Sequence, residues 1–140
     1  MILTPTGWAR SVMTDMDARP DWDTYFLALA DTVATRADCR RRQVGAVIVD
    51  SDHRVIATGY NGAPAGQAGC LEGACPRGLA TAEEVAAYSS YDNCIAIHAE
   101  ANALLYARTS CKGATVYITD RPCLACYKLL TAAGVARVRY

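Results

Sequence analysis

The sequence lacks several features that would assign it to a broad class. Fourteen basic residues balance fourteen acidic ones, so no strongly basic face is implied for a polymeric nucleic-acid partner. No apolar run approaches the ~20 residues needed to span a bilayer, and the opening stretch MILTPTGWARSVMTDMDARP contains no continuous apolar segment of the secretory kind. A cytoplasmic protein without a membrane partner is the expectation. Internal repeats and low-complexity segments are absent too, and histidine occurs only twice in 140 residues. Cysteine, by contrast, is abundant. Seven thiols are an odd number, and a reducing compartment disfavours disulfides, which leaves metal ligation as the favoured use.

About half of the residues are apolar, which suffices for one core but not comfortably for two. Residues 1–20 mix Thr, Pro, Asp, Gly and Met without period and read as an N-terminal tail; residues 21–140 read as one domain. In DWDTYFLALADTVATRAD, apolar residues at Trp22, Tyr25, Phe26, Leu29, Ala30 and Val33 recur at the spacing of one helix face, with Asp21 or Asp23 as cap. VGAVIVDSDHRVIATGY holds two β-branched runs around the polar turn Asp50 to His53, a β-hairpin whose first strand looks buried on both sides. NGAPAGQAGCLEGACPRG is a long loop by its Gly and Pro content, and its two cysteines suggest that it is pinned.

TAEEVAAYSS predicts a short helix with Thr81 as cap and Glu84 completing a capping box. HAEANALLYART predicts another, with Ala101, Leu104, Leu105 and Arg108 covering successive turns. GATVYITD reads as a third strand and VARVRY as a fourth. Between them, PCLACYKLLTAAG predicts a helix opened by Pro122 at its first position and closed by Gly134. The order α-β-β-α-β-α-β gives an α/β fold with a mixed sheet covered by helices.

Two motifs fall at predicted helix starts. Cys123 and Cys126 can bind one ion from a first helical turn, where free amides and the helix dipole favour thiolates. His98 offers a third ligand. Two thiolates and an imidazole leave a fourth tetrahedral position open, as in catalytic rather than structural zinc sites. Two thiolates also cancel the charge of the ion, so water there needs a nearby base. Glu100, two positions after His98, can take that proton and return it to a ring nitrogen and a leaving amine. H-x-E followed by P-C-x-x-C is the signature of zinc nucleobase deaminases.

The likeness extends further. CRRRQVGAVIVD, ATGYNGAPAG, CIAIHAEANALLYA, GATVYIT and PCLACYKLLTAAGV resemble the bacterial and phage deoxycytidylate (dCMP) deaminase family from about Leu27 onward. The resemblance implies a three-layer α/β/α sandwich of the cytidine deaminase-like type with a central mixed sheet, and conversion of dCMP to dUMP plus ammonia. It further implies a catalytic Zn2+ and a homo-oligomer, often hexameric. Carried onto this chain, the zinc ligands are His98, Cys123 and Cys126, and the proton shuttle is Glu100. Asn61 would touch the nucleotide sugar, while main-chain groups around Ala99 and Pro122 would border the base.

Cys39, Cys70, Cys75 and Cys94 match positions where the family often holds a second, structural zinc; unlinked buried cysteines are the alternative. Cys111 reads as an ordinary small residue. Among Arg40, Arg41 and Arg42, one can pair with the substrate phosphate, with Arg42 the choice, or the run is a solvated face. Arg121 departs from the small or polar residue common in the family and can reach the phosphate or alter which pyrimidine fits. The family usually adds helix and strand after the strand that VARVRY represents, so a shortened member and a sequence that omits such a tail are both open readings. Competing readings are a same-fold deaminase acting on cytosine, cytidine, guanine, tRNA adenosine or a modified pyrimidine nucleotide, and a zinc-stabilised nucleotide-binding regulator without turnover. Neutral charge counts against RNA, and Glu100 against the regulator.

Overall fold

Asp21 starts the first helix: its Oδ1 accepts the amide of Thr24 at 2.7 Å, satisfying one of the donors that a helix start leaves open. The computed structural model describes residues 18–87, 91 and 93–140. The predicted tail therefore lies mostly outside the described residues, as does the whole of YSS after the capping-box helix. In chain order the elements are α1 (Trp22–Ala34), β1 (Gly45–Val49), β2 (Val55–Tyr60), a 3-10 turn (Cys70–Glu72), α2 (Pro76–Leu79), α3 (Ala82–Ala87), α4 (Ala99–Leu105), β3 (Thr115–Ile118), α5 (Leu124–Ala132) and β4 (Arg137–Arg139).

The strands form one mixed sheet in the order β2-β1-β3-β4. β1 runs antiparallel to both β2 and β3, and β3 runs parallel to β4. All five residues of β1 are buried, and they alternate between two cores as the two-residue period of a strand requires. Val47 and Val49 pack with Phe26 and Ala30 of α1 and with Tyr117. Ala46 and Ile48 pack on the other side with Ala99 and Ala103 of α4, Ile118 and Leu130 of α5. One helix on one face and two on the other make the three-layer α/β/α sandwich that the resemblance implies. Burying a Val or Ile side chain in this way contributes roughly 1.5–3 kcal/mol.

Two glycines let the layers close. A Cβ on Gly45 would lie 2.2 Å from the carbonyl oxygen of Ala30, and one on Gly59 would lie 2.3 Å from that of Ala99. α1 thus rests directly on β1 and α4 directly on β2. Across the outer face of the sheet, Asp23 ties α1 to the edge strand: Oδ2 accepts Arg137 Nη2 at 2.7 Å and Arg139 Nη2 at 2.6 Å, and Oδ1 accepts the Tyr117 hydroxyl at 2.8 Å. The Arg139 bond, followed by that from Tyr117, holds the Asp23 carboxyl below its usual range.

Several expectations are met locally. The hairpin turn is made by Asp50, whose Oδ1 accepts the amides of Asp52 and Arg54. The capping box of α3 is present: Thr81 Oγ1 accepts from Glu84 N, and Glu84 accepts from Thr81 N. Cys111 is a buried core residue. Other expectations need correction. Trp22 and Tyr25 are exposed rather than core; Trp22 instead stacks on His53 with ring centroids 4.2 Å apart. α4 ends at Leu105, so Arg108 lies beyond it, and Leu105 is 66% exposed. The face toward the sheet is Ala99 and Ala103, because only small side chains fit above Gly59. Pro122 precedes the cap of α5 instead of opening the helix. Cys123 is the N-cap, with its Sγ accepting the amide of Cys126 at 3.5 Å. Among the described residues no helix is long and apolar enough to cross a membrane.

Candidate metal centre

α4 and α5 lie side by side on the same face of the sheet and begin at the same end, which brings His98, the N-cap of α4, to Cys123, the N-cap of α5. His98 Nδ1 is 3.5 Å from Cys123 Sγ and 3.3 Å from Cys126 Sγ. Zinc bonds of ~2.0–2.1 Å to nitrogen and ~2.3 Å to sulfur at tetrahedral angles separate such ligand atoms by about 3.5 Å. The residues therefore fit a zinc ion. Among the described residues this is the one group of three or more such side chains whose ligand atoms all lie within 4.8 Å of one another.

The charge balance points the same way. Burial pushes the Cys126 thiol up, and the neighbouring Glu100 and Cys123 charges push it further. With no cation, the three acidic groups oppose one another; a bound cation reverses that effect. Glu100 is 4% exposed and close enough to hydrogen-bond Cys126. Its carboxylate lies in the first turn of α4, where the helix dipole favours negative charge.

The centre forms one end of a cavity of about 320 Å³, lined there by His98, Ala99, Glu100 and Cys123. Asn61 forms part of the wall, 8% exposed, and its amide is committed at both ends. Its Oδ1 accepts the Val44 amide at 2.8 Å, and its Nδ2 donates to the Arg42 carbonyl at 2.8 Å. Pro122 does not line this cavity; together with Arg121 it borders a neighbouring groove between α5 and β4. Arg121 borders both.

The three consecutive arginines separate by role. Arg40 donates to the carbonyls of Cys70 and Leu71, and Arg41 to those of Arg77 and Ala80. These two stitch the Gly-rich loop to the segment before β1. Arg42 pairs with Asp120 at 2.8 Å. Cys39, Cys70, Cys75 and Cys94 all line the cavity, and Cys75 and Cys94 have their sulfurs 4.0 Å apart. Amide groups point at these sulfurs: Arg40 N donates to Cys70 at 3.3 Å, and Arg41 N and Arg42 N donate to Cys39 at 3.4 and 3.5 Å. The four do not reach the mutual spacing of the first centre. Burial pushes Cys75 up, but amides of Ile95, Gly78 and Arg77 and the Cys94 side chain outweigh it and hold the thiol below its ordinary value. Burial pushes Cys94 up.

Sequence reasoning missed Asp120, Arg77 and Tyr91. Asp120 stands directly before R-P-C, so its position was visible but its partner was not. Arg77 lies over the Tyr91 ring, 5.0 Å from its centre, and Tyr91 meets His98 edge to face at 4.9 Å. Neither contact has a signature in the sequence.

A mixed sheet that brings an H-x-E helix start to a P-C-x-x-C helix start defines the class of zinc nucleobase deaminases. Comparison with known proteins agrees. The model of the cytidine and deoxycytidylate deaminase zinc-binding region matches residues 20–140. A deoxycytidylate deaminase of Mycobacterium phage D29 is 56% identical over 126 residues, covering 88% of this chain and 96% of the relative. That of Schizosaccharomyces pombe is 43% identical over 87% of this chain, which spans 37% of that longer relative. A crystal structure of the dCMP deaminase of cyanophage S-TIM5 with dCMP and dUMP superposes with a TM-score of 0.67 at 26% identity, covering 86% of this chain and 81% of the other. The chain belongs to the cytidine and deoxycytidylate deaminase family.

Proposed function

We propose that residues 21–140 form one zinc-dependent deaminase domain that converts dCMP and water to dUMP and ammonia. The observation that carries the reading is the convergence of His98 Nδ1 on the two sulfurs of Cys123 and Cys126 beside the buried Glu100. His98, Cys123 and Cys126 hold the ion, which when bound supplies a Lewis acid that makes water a stronger nucleophile near neutral pH. The Glu100 carboxylate takes a proton from the attacking water and delivers protons to N3 of the cytosine ring and to the departing amine. Ala99 borders the base, and the Asn61 side chain, fixed by its two backbone bonds, faces the sugar. Its remaining N–H and oxygen lone pair are available for that contact. Arg121 is the cation proposed for the substrate phosphate, with Arg42, paired to Asp120, beside it.

A second, structural zinc on Cys39, Cys70, Cys75 and Cys94 belongs to this reading. It is supported by the amides directed at Cys39 and Cys70 and by the approach of Cys75 to Cys94. A tetrahedral ion would draw the four sulfurs together and fix the loop over the cavity. Metal content near two ions per chain, falling by one in Cys70→Ser, is expected; content of one in both proteins refutes the second ion. The protein is expected to be a cytoplasmic homo-oligomer without a polymeric nucleic-acid or membrane partner.

The deciding assay follows ammonia release from zinc-loaded protein offered dCMP, deoxycytidine, CMP, cytosine and guanine. Strong preference for dCMP supports the proposal. Preference for an unphosphorylated base or nucleoside, or no turnover, overturns it.

A further inference from the structure

We propose that Asp120 selects the phosphate charge that the cavity accepts: by engaging Arg42 it leaves Arg121 to meet a monophosphate and disfavours a diphosphate. The inference rests on the deaminase reading of this cavity. Arg42 and Asp120 come from neighbouring segments at one end of the sheet, one leading into β1 and the other following its partner strand β3 toward Cys123. Their ion pair, 2.8 Å long, lies along the cavity wall, with side-chain exposures of 68% and 37%. A pair so open to water does little for stability. Both partners are nevertheless held in place. The Arg42 amide donates to Cys39 Sγ and its carbonyl accepts from Asn61 Nδ2. The second carboxylate oxygen of Asp120 accepts the amide of Arg121 at 2.9 Å, which fixes the plane of the carboxylate beside that residue.

The other cations of the wall differ in their engagements. Arg41 is committed to two backbone carbonyls and Arg77 lies on the Tyr91 ring. The Arg121 guanidinium has no hydrogen bond or ion pair among the described residues and is exposed at the cavity edge. A single phosphate meeting Arg121 gains a cation without disturbing the bridge. A second phosphate would need Arg42, and would have to displace the Asp120 carboxylate or stand beside its like charge. Asp120 thus converts two neighbouring arginines into one usable cation.

The test compares zinc-loaded wild type, Asp120→Asn, Arg42→Gln and the double variant, with Asp120→Ser as a second replacement. Equilibrium dialysis of each, carried in a Glu100→Gln background that suppresses turnover, measures binding of deoxycytidine, dCMP and dCDP. Asp120→Asn should tighten dCDP relative to dCMP by about tenfold, the scale of one additional charge-assisted contact, and leave deoxycytidine within about twofold. In the Arg42→Gln background that gain should vanish, because no arginine remains to be released. An unchanged dCDP to dCMP ratio in both Asp120 variants overturns the proposal. So does a full gain in the Arg42→Gln background, which would reduce the effect to removal of a negative charge. Failure of wild type to turn over dCMP would count against the deaminase reading alone, since the dialysis ratios decide the role of Asp120 without it.

Discussion

Asn61 clamps Val44: its Oδ1 accepts the Val44 amide at 2.8 Å while its Nδ2 holds the carbonyl of Arg42 at the same distance. One side chain therefore fixes the segment that enters β1, and with it the base of Arg42. Asn61→Ala should lose both bonds and leave the Val44 amide unpaired in a half-buried place. The expected loss is about 2 kcal/mol or more, from an unsatisfied buried donor plus a lost hydrogen bond, read by urea denaturation. A variant as stable as wild type would show that water replaces the clamp.

Glu100→Gln keeps the shape of the side chain and removes its ability to carry a proton. Bound zinc per chain should be unchanged at the His98, Cys123 and Cys126 centre, and turnover should fall by at least about a hundredfold, the scale of general acid–base assistance. Metal analysis and ammonia release on the same preparation separate the two. Retained activity would remove Glu100 from the mechanism; lost zinc would make it a ligand.

Tyr117 gives a pH signature outside the site. Burial first, then its hydrogen bond to Asp23, raises its hydroxyl to about 12, against about 10 in an unfolded chain. Between those values the unfolded state has lost a proton that the folded state keeps, so stability falls as pH rises. The slope approaches about 1.4 kcal/mol per pH unit for one proton. Below about pH 10 both states are protonated and the contribution is flat. Subtracting the Tyr117→Phe stability profile from that of wild type should isolate this decline; a flat difference across the window would contradict it.

The cluster of His98, Cys123 and Cys126 was legible in the sequence because residue type, a three-residue spacing and a helix start are all local. The alternation of β1 between two cores was legible for the same reason. The arginine run was not. Arg40, Arg41 and Arg42 are equivalent as letters, yet each reaches a different partner, 30 or more positions away in all three cases. Asn61 was marked as a site residue by the family resemblance, but its bonds to partners 17 and 19 positions earlier carry no local signal. The reach of α4 was overestimated because periodicity favours Leu104 and Leu105, while the close approach at Gly59 selects the alanines.

That close approach can be tested through the contrast between its two faces. Gly59→Ala would place a methyl 2.3 Å from the Ala99 carbonyl and 2.4 Å from the Ala103 amide, and Gly45→Ala would place one 2.2 Å from the Ala30 carbonyl and 2.5 Å from the Ala34 amide. Both clashes are with backbone, so a helix must move away from the sheet. Each variant should lose about 1–3 kcal/mol, the usual cost of overpacking. Their effects on the metal should differ. α4 begins at His98 and carries Glu100, so lifting it from β2 moves the imidazole away from two sulfurs held by a different helix. α1 carries no ligand and packs on the opposite face. Zinc affinity, measured by chelator competition under conditions where each variant is folded, should therefore weaken in Gly59→Ala far more than in Gly45→Ala. Equal weakening would mean that the site senses global stability, and the direct seat of α4 on β2 would not be what positions His98.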